Sequence, residues 1–311
     1  MVDYSSDEIS SEESAELIAA VNAHVAEAHA GDGYIRFHPG VSYRHCMVLK
    51  DRGLGMRATP PHDILEKRIG AYMPSDGPDP GTDPGAAELV NRLMRDSYGY
   101  LSRHRVNLER ERRGLRPANS LWLWGQGKRL SLPSYREKYG IGGAVISAVD
   151  LLKGIGISAG LQPISVEGAT GVIDTNYEGK AMAAVGALKA GLDFVYVHVE
   201  APDECGHRHE IENKVKSIEY IDSRLIATIF RELGSLGDDC RIMVLPDHPT
   251  PLSLRTHTND AVPFAACTMG KPQANPGCAG YDEAQAAASG IYVPEGHKLM
   301  GMFLSGAGIF G

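Results

Sequence analysis

Five residues in the second half of the chain have the types and the spacing to hold divalent ions. Asp203 and His207 lie four positions apart, with Gly206 between them, soon after the apolar run Phe194 to Val199. Asp247 and His248 follow the run RIMVL and Pro246, and His257 sits in Arg255-Thr256-His257-Thr258, just before VPFAAC. Two carboxylates and three imidazoles suit Zn²⁺, Mn²⁺ and similar ions better than Ca²⁺, which favours all-oxygen cages. Carboxylates a few ångströms apart repel by about 4 kcal/mol at an effective dielectric of about 20, so such a cluster is stable mainly when a cation or an Arg neutralises it. Five candidate ligands are too many for one tetrahedral structural site and point to two ions sharing a phosphate. Singly the signals are weak: an Asp-x-x-x-His pair is more often not a metal site, His248 after Asp247 could be a helix-capping pair, and His257 could be a surface histidine. Joint placement at three strand ends is what raises them. His207 and His209 could alternatively face solvent, and His209 is given no role.

The elements that must position these residues are legible as an alternation of strands and helices after a polar stretch ending in Pro117. Ser120 to Trp124 reads as a strand, Gly143 to Lys153 as a helix ended by Gly154, Pro163 to Val166 as a strand, and Lys180 to Ala190 as an Ala-rich helix ended by Gly191. Phe194 to Val199 reads as a buried strand closed by Pro202, which puts Asp203 and His207 in a short loop. Asn213 to Leu233 reads as a long helix with Val215, Ile218, Ile221, Leu225, Ile226 and Ile229 on one face. Arg241 to Leu245 and Val262 to Thr268 are further strands. The pattern implies an α/β fold, a mainly parallel sheet with helices on both faces, whose carboxyl-end rim would gather the five residues if the strands are parallel neighbours. Gly154 to Gly160 (GIGISAG) does not follow a strand and reads as a helix stop, not a dinucleotide loop.

The front is different. Ser10 to Ala30 reads as an amphipathic helix, Tyr34 to His38 and Ser42 to Leu49 as a hairpin turning at Pro39-Gly40, and Ala86 to His104 as a second helix. Thr59 to Asp63 and the Pro/Gly/Asp-rich Pro74 to Gly85 read as loops. Residues 1–116 therefore form a small α+β domain and 117–311 part of the α/β core. With 311 residues, 43% hydrophobic and 23% charged, the chain can bury sizeable cores. A formal net charge of −8 argues against a sequence-independent nucleic-acid binder. Five scattered cysteines without CxxC spacing suggest reduced thiols, and there is neither a signal peptide nor an 18-residue apolar run, so the expectation is a cytoplasmic protein with no membrane and no nucleic-acid partner.

The segments NSLWLWGQGK (119–128), GAVISAVDLLKGIG (143–156), GATGVIDTNYEGK (168–180), VHVEAPDECGH (197–207), LPDHPTP (245–251) and RTHTNDAVPF (255–264), with PGVSYRH and PPHDI nearer the front, resemble the archaeal-type cofactor-independent phosphoglycerate mutases of the alkaline phosphatase superfamily. The resemblance covers essentially the whole chain. It implies an alkaline-phosphatase-like core with a cap domain over residues 1–116. It also implies two divalent ions (Mn, Mg, Zn or Co), no 2,3-bisphosphoglycerate, and phosphoglycerate interconversion through a phosphoserine, a glycolytic step. By motif match, Asp203, His207 and His257 would hold one ion and Asp247 and His248 the other. In the cap, Arg44 and His62 would contact the carboxylate or phosphate of a small phosphorylated hydroxy acid, since a bidentate Arg suits both groups. A solvated strand face is the competing reading of those two.

The family's opening strand with its Asp-Gly ligand and its nucleophilic serine have no counterpart here, so the core is read as incomplete and the catalytic serine is unknown. Ser5, Ser6, Ser10 and Ser11 belong to an acidic helix cap without a preceding buried strand. An incomplete core is expected to expose apolar surface and to associate. Two alternatives stand beside the mutase reading: a phosphotransferase on another small hydroxy acid, as proposed for bacterial relatives thought to be homoserine kinases, and a catalytically silent chain that keeps metal affinity.

Overall fold

The computed structural model describes residues 1–50, 55–77, 83, 85–234, 240–270 and 279–306, and the chain divides into two compact units, Met1–Leu130 and Ser131–Gly311. Part of the expected Pro74–Gly85 loop, residues 78–82 and 84, lies outside the described residues, as does Cys278.

In the first unit, helix α1 (Ser11–Ala28) begins where Ser10 Oγ accepts from the Glu13 N–H. Its buried face, Leu17, Ile18, Val21 and Val25, packs with Phe37 of strand β1 (Ile35–Pro39), which pairs antiparallel with β2 (His45–Leu49). Asn22 pins helix to strand: its Nδ2 donates to the Phe37 carbonyl at 2.8 Å and its Oδ1 accepts from the Phe37 N–H at 2.9 Å. A two-residue pairing of β3 (Met56–Arg57) with β4 (Ser75–Asp76) follows, and between them Pro61–Ile64 makes a 3₁₀ turn carrying His62. Helices α2 (Ala86–Leu101) and α3 (Arg105–Arg112) complete the unit, Leu89, Leu93 and Val106 joining the same core.

Ser120 to Trp124 is not a strand. Its backbone is held by side chains instead of a ladder: Leu121 N–H donates to Ser97 Oγ at 2.9 Å, and the Trp122 indole donates to the Thr59 carbonyl at 2.9 Å. Leu121 and Leu123 still pack on the core, which is the apolar alternation that suggested a strand.

The second unit opens with α4 (Tyr135–Tyr139), started by a reciprocal Ser134–Glu137 capping box. The stretch expected as one helix from Gly143 splits into strand β5 (Gly143–Ile146), fully buried, and helix α5 (Asp150–Ser158). A short apolar run has no decisive period, and helix α5 continues through Gly154 because Gly156 must lie against β5: a Cβ there would meet Val145 Cγ1 at 2.4 Å. Strands β6 (Gln162–Ile164) and β7 (Phe194–Val197) flank β5 in a parallel sheet of order β6-β5-β7, with α6 (Tyr177–Lys189) crossing between them. Side chains alternate across β7. Phe194 and Tyr196 pack with Met300, Phe303 and Leu304 near the chain's end, while Val197 packs with Tyr177, Ala181 and Leu225.

Beyond β7 comes α7 (Ala201–Arg208), then a continuous helical stretch made of α8 (Ile211–Tyr220), a π-helical segment (Ile221–Ile226) and α9 (Ala227–Leu233). The expected single apolar face is broken. Val215 and Ile218 are exposed, whereas Ile221, Leu225, Ile226 and Ile229 are packed. The π segment takes up extra residues per turn and so rotates the later face away from the earlier one. Ile211 and, on α5, Leu151, Ile155 and Ile157 are also exposed. Strand β8 (Arg241–Val244) pairs antiparallel with β9 (Ala265–Thr268), not with β7, so the expected parallel neighbourhood of β7 and β8 is absent among the described residues. Nor is any described helix long and apolar enough to cross a membrane.

Candidate metal centre

Asp203 and His207 stand on a helix, not in a loop. Pro202 sits in the first turn of α7, where a missing N–H costs nothing, and the four-residue spacing puts both side chains on one face. His209, in the left-handed conformation at φ 61°, closes the helix, and its Nδ1 lies 2.7 Å from the Leu252 carbonyl, so it is a structural residue.

Onto that face the segment after β8 brings His257. Nε2 of His207 and Nε2 of His257 are 3.0 Å apart, and the Asp203 carboxylate lies 3.4 Å from the first and 3.3 Å from the second. His207 Nδ1 is 3.0 Å from the Arg255 carbonyl, which can only accept; Nδ1 therefore carries the proton and Nε2 turns toward His257 and Asp203. Arg255 holds that carbonyl in place from a left-handed backbone at φ 54°, an uncommon conformation for a side-chain-bearing residue.

Burial alone would raise the Asp203 carboxyl. Hydrogen bonds from His207 and Thr250 and the nearby imidazoles outweigh it and hold the group well below the usual carboxylate range. For His207, burial opposes the charge, and the hydrogen bond and charge of Asp203 prevail, so its pKa is raised. An acidic carboxylate facing two imidazole nitrogens is a donor set that a divalent cation would complete.

Asp247 and His248 adjoin this trio without joining it. The His248 ring lies 3.8 Å from the His257 ring, and its Nε2 is 3.3 Å from Asp247 Oδ2, so the exposed Asp247 carboxylate is turned to its neighbour. In the first unit, Arg44 lies over the Tyr43 ring at 4.3 Å and Tyr43 meets Tyr4 edge-on at 5.5 Å. Tyr4 in turn meets His62 at 6.2 Å, which packs on Trp124 at 5.4 Å. Arg44 and His62 thus belong to one aromatic row.

Sheet pairing does not assemble the centre; Thr250 and Lys214, which sequence reasoning passed over, and Gly206, which it named without a role, do. Thr250 Oγ1 donates to Asp203 Oδ1. Lys214 Nζ donates to the carbonyls of Pro202 at 3.0 Å and Thr250 at 2.9 Å, tying the start of α7 to the segment after β8. Gly206 permits the close approach, since a Cβ there would meet the Thr250 carbonyl oxygen at 2.5 Å. Nearby, fully buried Lys180 donates to the His198 carbonyl at 3.1 Å, and burial pulls its amine down to about 8, against the opposing charge of Glu200.

Residues 45–288 match the Metalloenzyme superfamily. A Geobacter sulfurreducens protein named a probable 2,3-bisphosphoglycerate-independent phosphoglycerate mutase is 47% identical over 98% of this chain and 72% of its own length. The Methanosarcina barkeri enzyme of that name is 44% identical over 97% of this chain and 72% of its own. The chain belongs to the 2,3-bisphosphoglycerate-independent phosphoglycerate mutase family. Among solved structures, a cofactor-independent phosphoglycerate mutase of Thermoplasma acidophilum shares the fold, with a TM-score of 0.53 at 24% identity over 99% of this chain and 73% of that one. A Pyrococcus horikoshii protein aligns with a TM-score of 0.58 and 26% identity over 74% of this chain and 62% of its own. The α/β core built around a parallel sheet is thus the part of this chain that the fold comparison bears on, and the convergence of Asp203, His207 and His257 is what this mutase-family chain contributes from its own side chains.

Proposed function

We propose that the chain interconverts 3-phosphoglycerate and 2-phosphoglycerate by metal-dependent phosphoryl transfer, without 2,3-bisphosphoglycerate, in the cytoplasm. The observation that carries this reading is the meeting of Asp203, His207 and His257 at one point in a chain of this family. In the proposal Asp203, His207 and His257 hold one divalent ion and Asp247 and His248 a second, the ions being Mn, Mg, Zn or Co. Bound there, they would polarise the phosphoryl oxygens and lower the pKa of the attacking hydroxyl. Arg255, through its carbonyl, keeps the His207 lone pair directed inward, and Thr250 and Lys214 keep Asp203 and the approaching segment in register.

Residues 1–116 are proposed as the cap, with Arg44 and His62 taking the substrate's carboxylate or phosphate. The serine that accepts the phosphoryl group from the C3 oxygen and returns it to the C2 oxygen is not assigned. Because the group leaves and returns, no nucleotide or water is consumed.

An enolase-coupled assay of this chain carrying a relative's opening Asp-Gly strand and serine segment ahead of Met1 tests the reading. Turnover of 3-phosphoglycerate is expected with Mn²⁺ and no added bisphosphoglycerate, lost with EDTA and restored by Mn²⁺. Its absence from that metal-replete extended chain, or phosphorylation of homoserine by ATP in its place, would overturn the assignment.

A further inference from the structure

A second cluster of metal-type side chains lies in the first unit, outside everything assigned above. His29 closes α1, its N–H donating to the Val25 carbonyl, and the turn that follows brings Asp32 back beneath it. His29 Nδ1 is 2.8 Å from Asp32 Oδ2, which also accepts from Arg92 Nη2 at 2.6 Å. A carboxylate shared with an Arg is an acceptor, so Nδ1 carries the imidazole proton and Nε2 is left as a lone pair.

That Nε2 is buried and has no hydrogen-bond partner, in a residue only 4% exposed. It faces Asp96 Oδ2 of α2 at 3.3 Å, outside hydrogen-bond geometry. His24, five residues earlier on α1, stacks on Tyr100 with ring centroids 4.2 Å apart and meets the His29 ring at 6.1 Å. One donor atom from each of His24, His29 and Asp96 lies within 4.8 Å of the others. Two ligands bonded to Zn²⁺ at about 2.05 Å and a tetrahedral angle stand roughly 3.3 Å apart, the separation that His29 and Asp96 already have. The half-exposed Asp96 leaves the cluster a way in, and the carbonyl end of α1 favours positive charge.

We propose that His24, His29 and Asp96 form a site for a zinc-type divalent cation that ties the end of α1 to α2, with Asp32 orienting His29 through Nδ1. The donor set, two imidazoles and one carboxylate, selects zinc or cobalt over calcium or magnesium. The carboxylate behind the histidine is the arrangement that fixes tautomer and strengthens a ligating imidazole.

The test is zinc stoichiometry of the EDTA-stripped full chain after equilibration with Zn²⁺ and gel filtration. The variant Asp203→Asn/His257→Gln/Asp247→Asn/His248→Gln empties both sets of ligands proposed above and should retain one equivalent. Adding His24→Gln or Asp96→Asn, both at partly exposed positions, should remove that equivalent, together with the Zn²⁺-dependent rise in Tm. Zinc binding that is absent from the chain with all four of those substitutions, or unchanged by both further substitutions, would overturn the site and leave His29 as a histidine buried between two carboxylates. Because neither readout is activity, failure of the mutase reading would not move them.

Discussion

The two histidine–aspartate clusters use the same side chains to different ends. Around α7 the histidine is oriented by a neutral backbone carbonyl, the carboxylate is itself a donor, and His257 is 41% exposed. At the end of α1 the histidine is oriented by a charged carboxylate that an Arg also holds, and its side chain is 3% exposed. A carboxylate behind an imidazole makes it the stronger base. In both clusters the outer ligand is about equally exposed, so the contrast lies in what orients the inner histidine: a neutral carbonyl would leave a bound ion electron-poor, as phosphoryl transfer needs, and a charged carboxylate would hold one more firmly, as a clamp between helices needs.

The contrast breaks first at Asp203. In the extended chain that supplies the serine segment, Asp203→Ala should lower mutase turnover by about 10³-fold while leaving the folded signal intact, because the carboxylate is proposed to serve the ion and not the core; the enolase-coupled rate checks this, and an undiminished rate would remove the catalytic side of the comparison.

Lys180 gives the second unit a pH signature above neutrality. With its folded pKa near 8 and its unfolded value near 10.5, the buried charge destabilises the fold below pH 8. Between those values the unfolded chain binds the extra proton, so stability rises with pH. Lys180→Met should therefore be more stable than wild type at pH 7.5, by up to about 3 kcal/mol, and lose that advantage by pH 10.5 in urea titrations.

Thr250→Val removes the hydroxyl that holds Asp203 and should cost about 10- to 100-fold in metal affinity or turnover, measured by Mn²⁺ titration. The smallest effect is expected at the other cluster. Asp32→Asn exchanges the charged orienter for a neutral one, and zinc affinity at His24, His29 and Asp96 should fall about tenfold with mutase turnover unchanged.

How much of this was legible in the sequence depends on which signal was used. Asp203, His207 and His257 stand out by type, and the structure brings them together even though two were expected in a loop. The loop expectation came from reading Pro202 as the end of a strand, when the same residue also opens helices. Residues 143–153 were unresolvable by period, since a buried strand and the helix after it are both apolar there. Thr250, Lys214 and Gly206 carry no chemical signature; their roles come from a close approach between segments about 45 residues apart, which one sequence does not reveal. His24, His29 and Asp96 escaped for a similar reason, because two belong to one helix and the third to another, 67 positions on from His29.

Helix α7 is eight residues long, shorter than the roughly 12–15 that an isolated helix needs to persist in water. Asp203 and His207 are one turn apart on it, so any ion that grips both also staples its backbone. Occupancy of the centre and survival of the helix are then a single equilibrium. Amide hydrogens between Cys205 and His209 should exchange with solvent more slowly once metal is added, which makes deuterium uptake in this one short segment a direct gauge of how full the centre is.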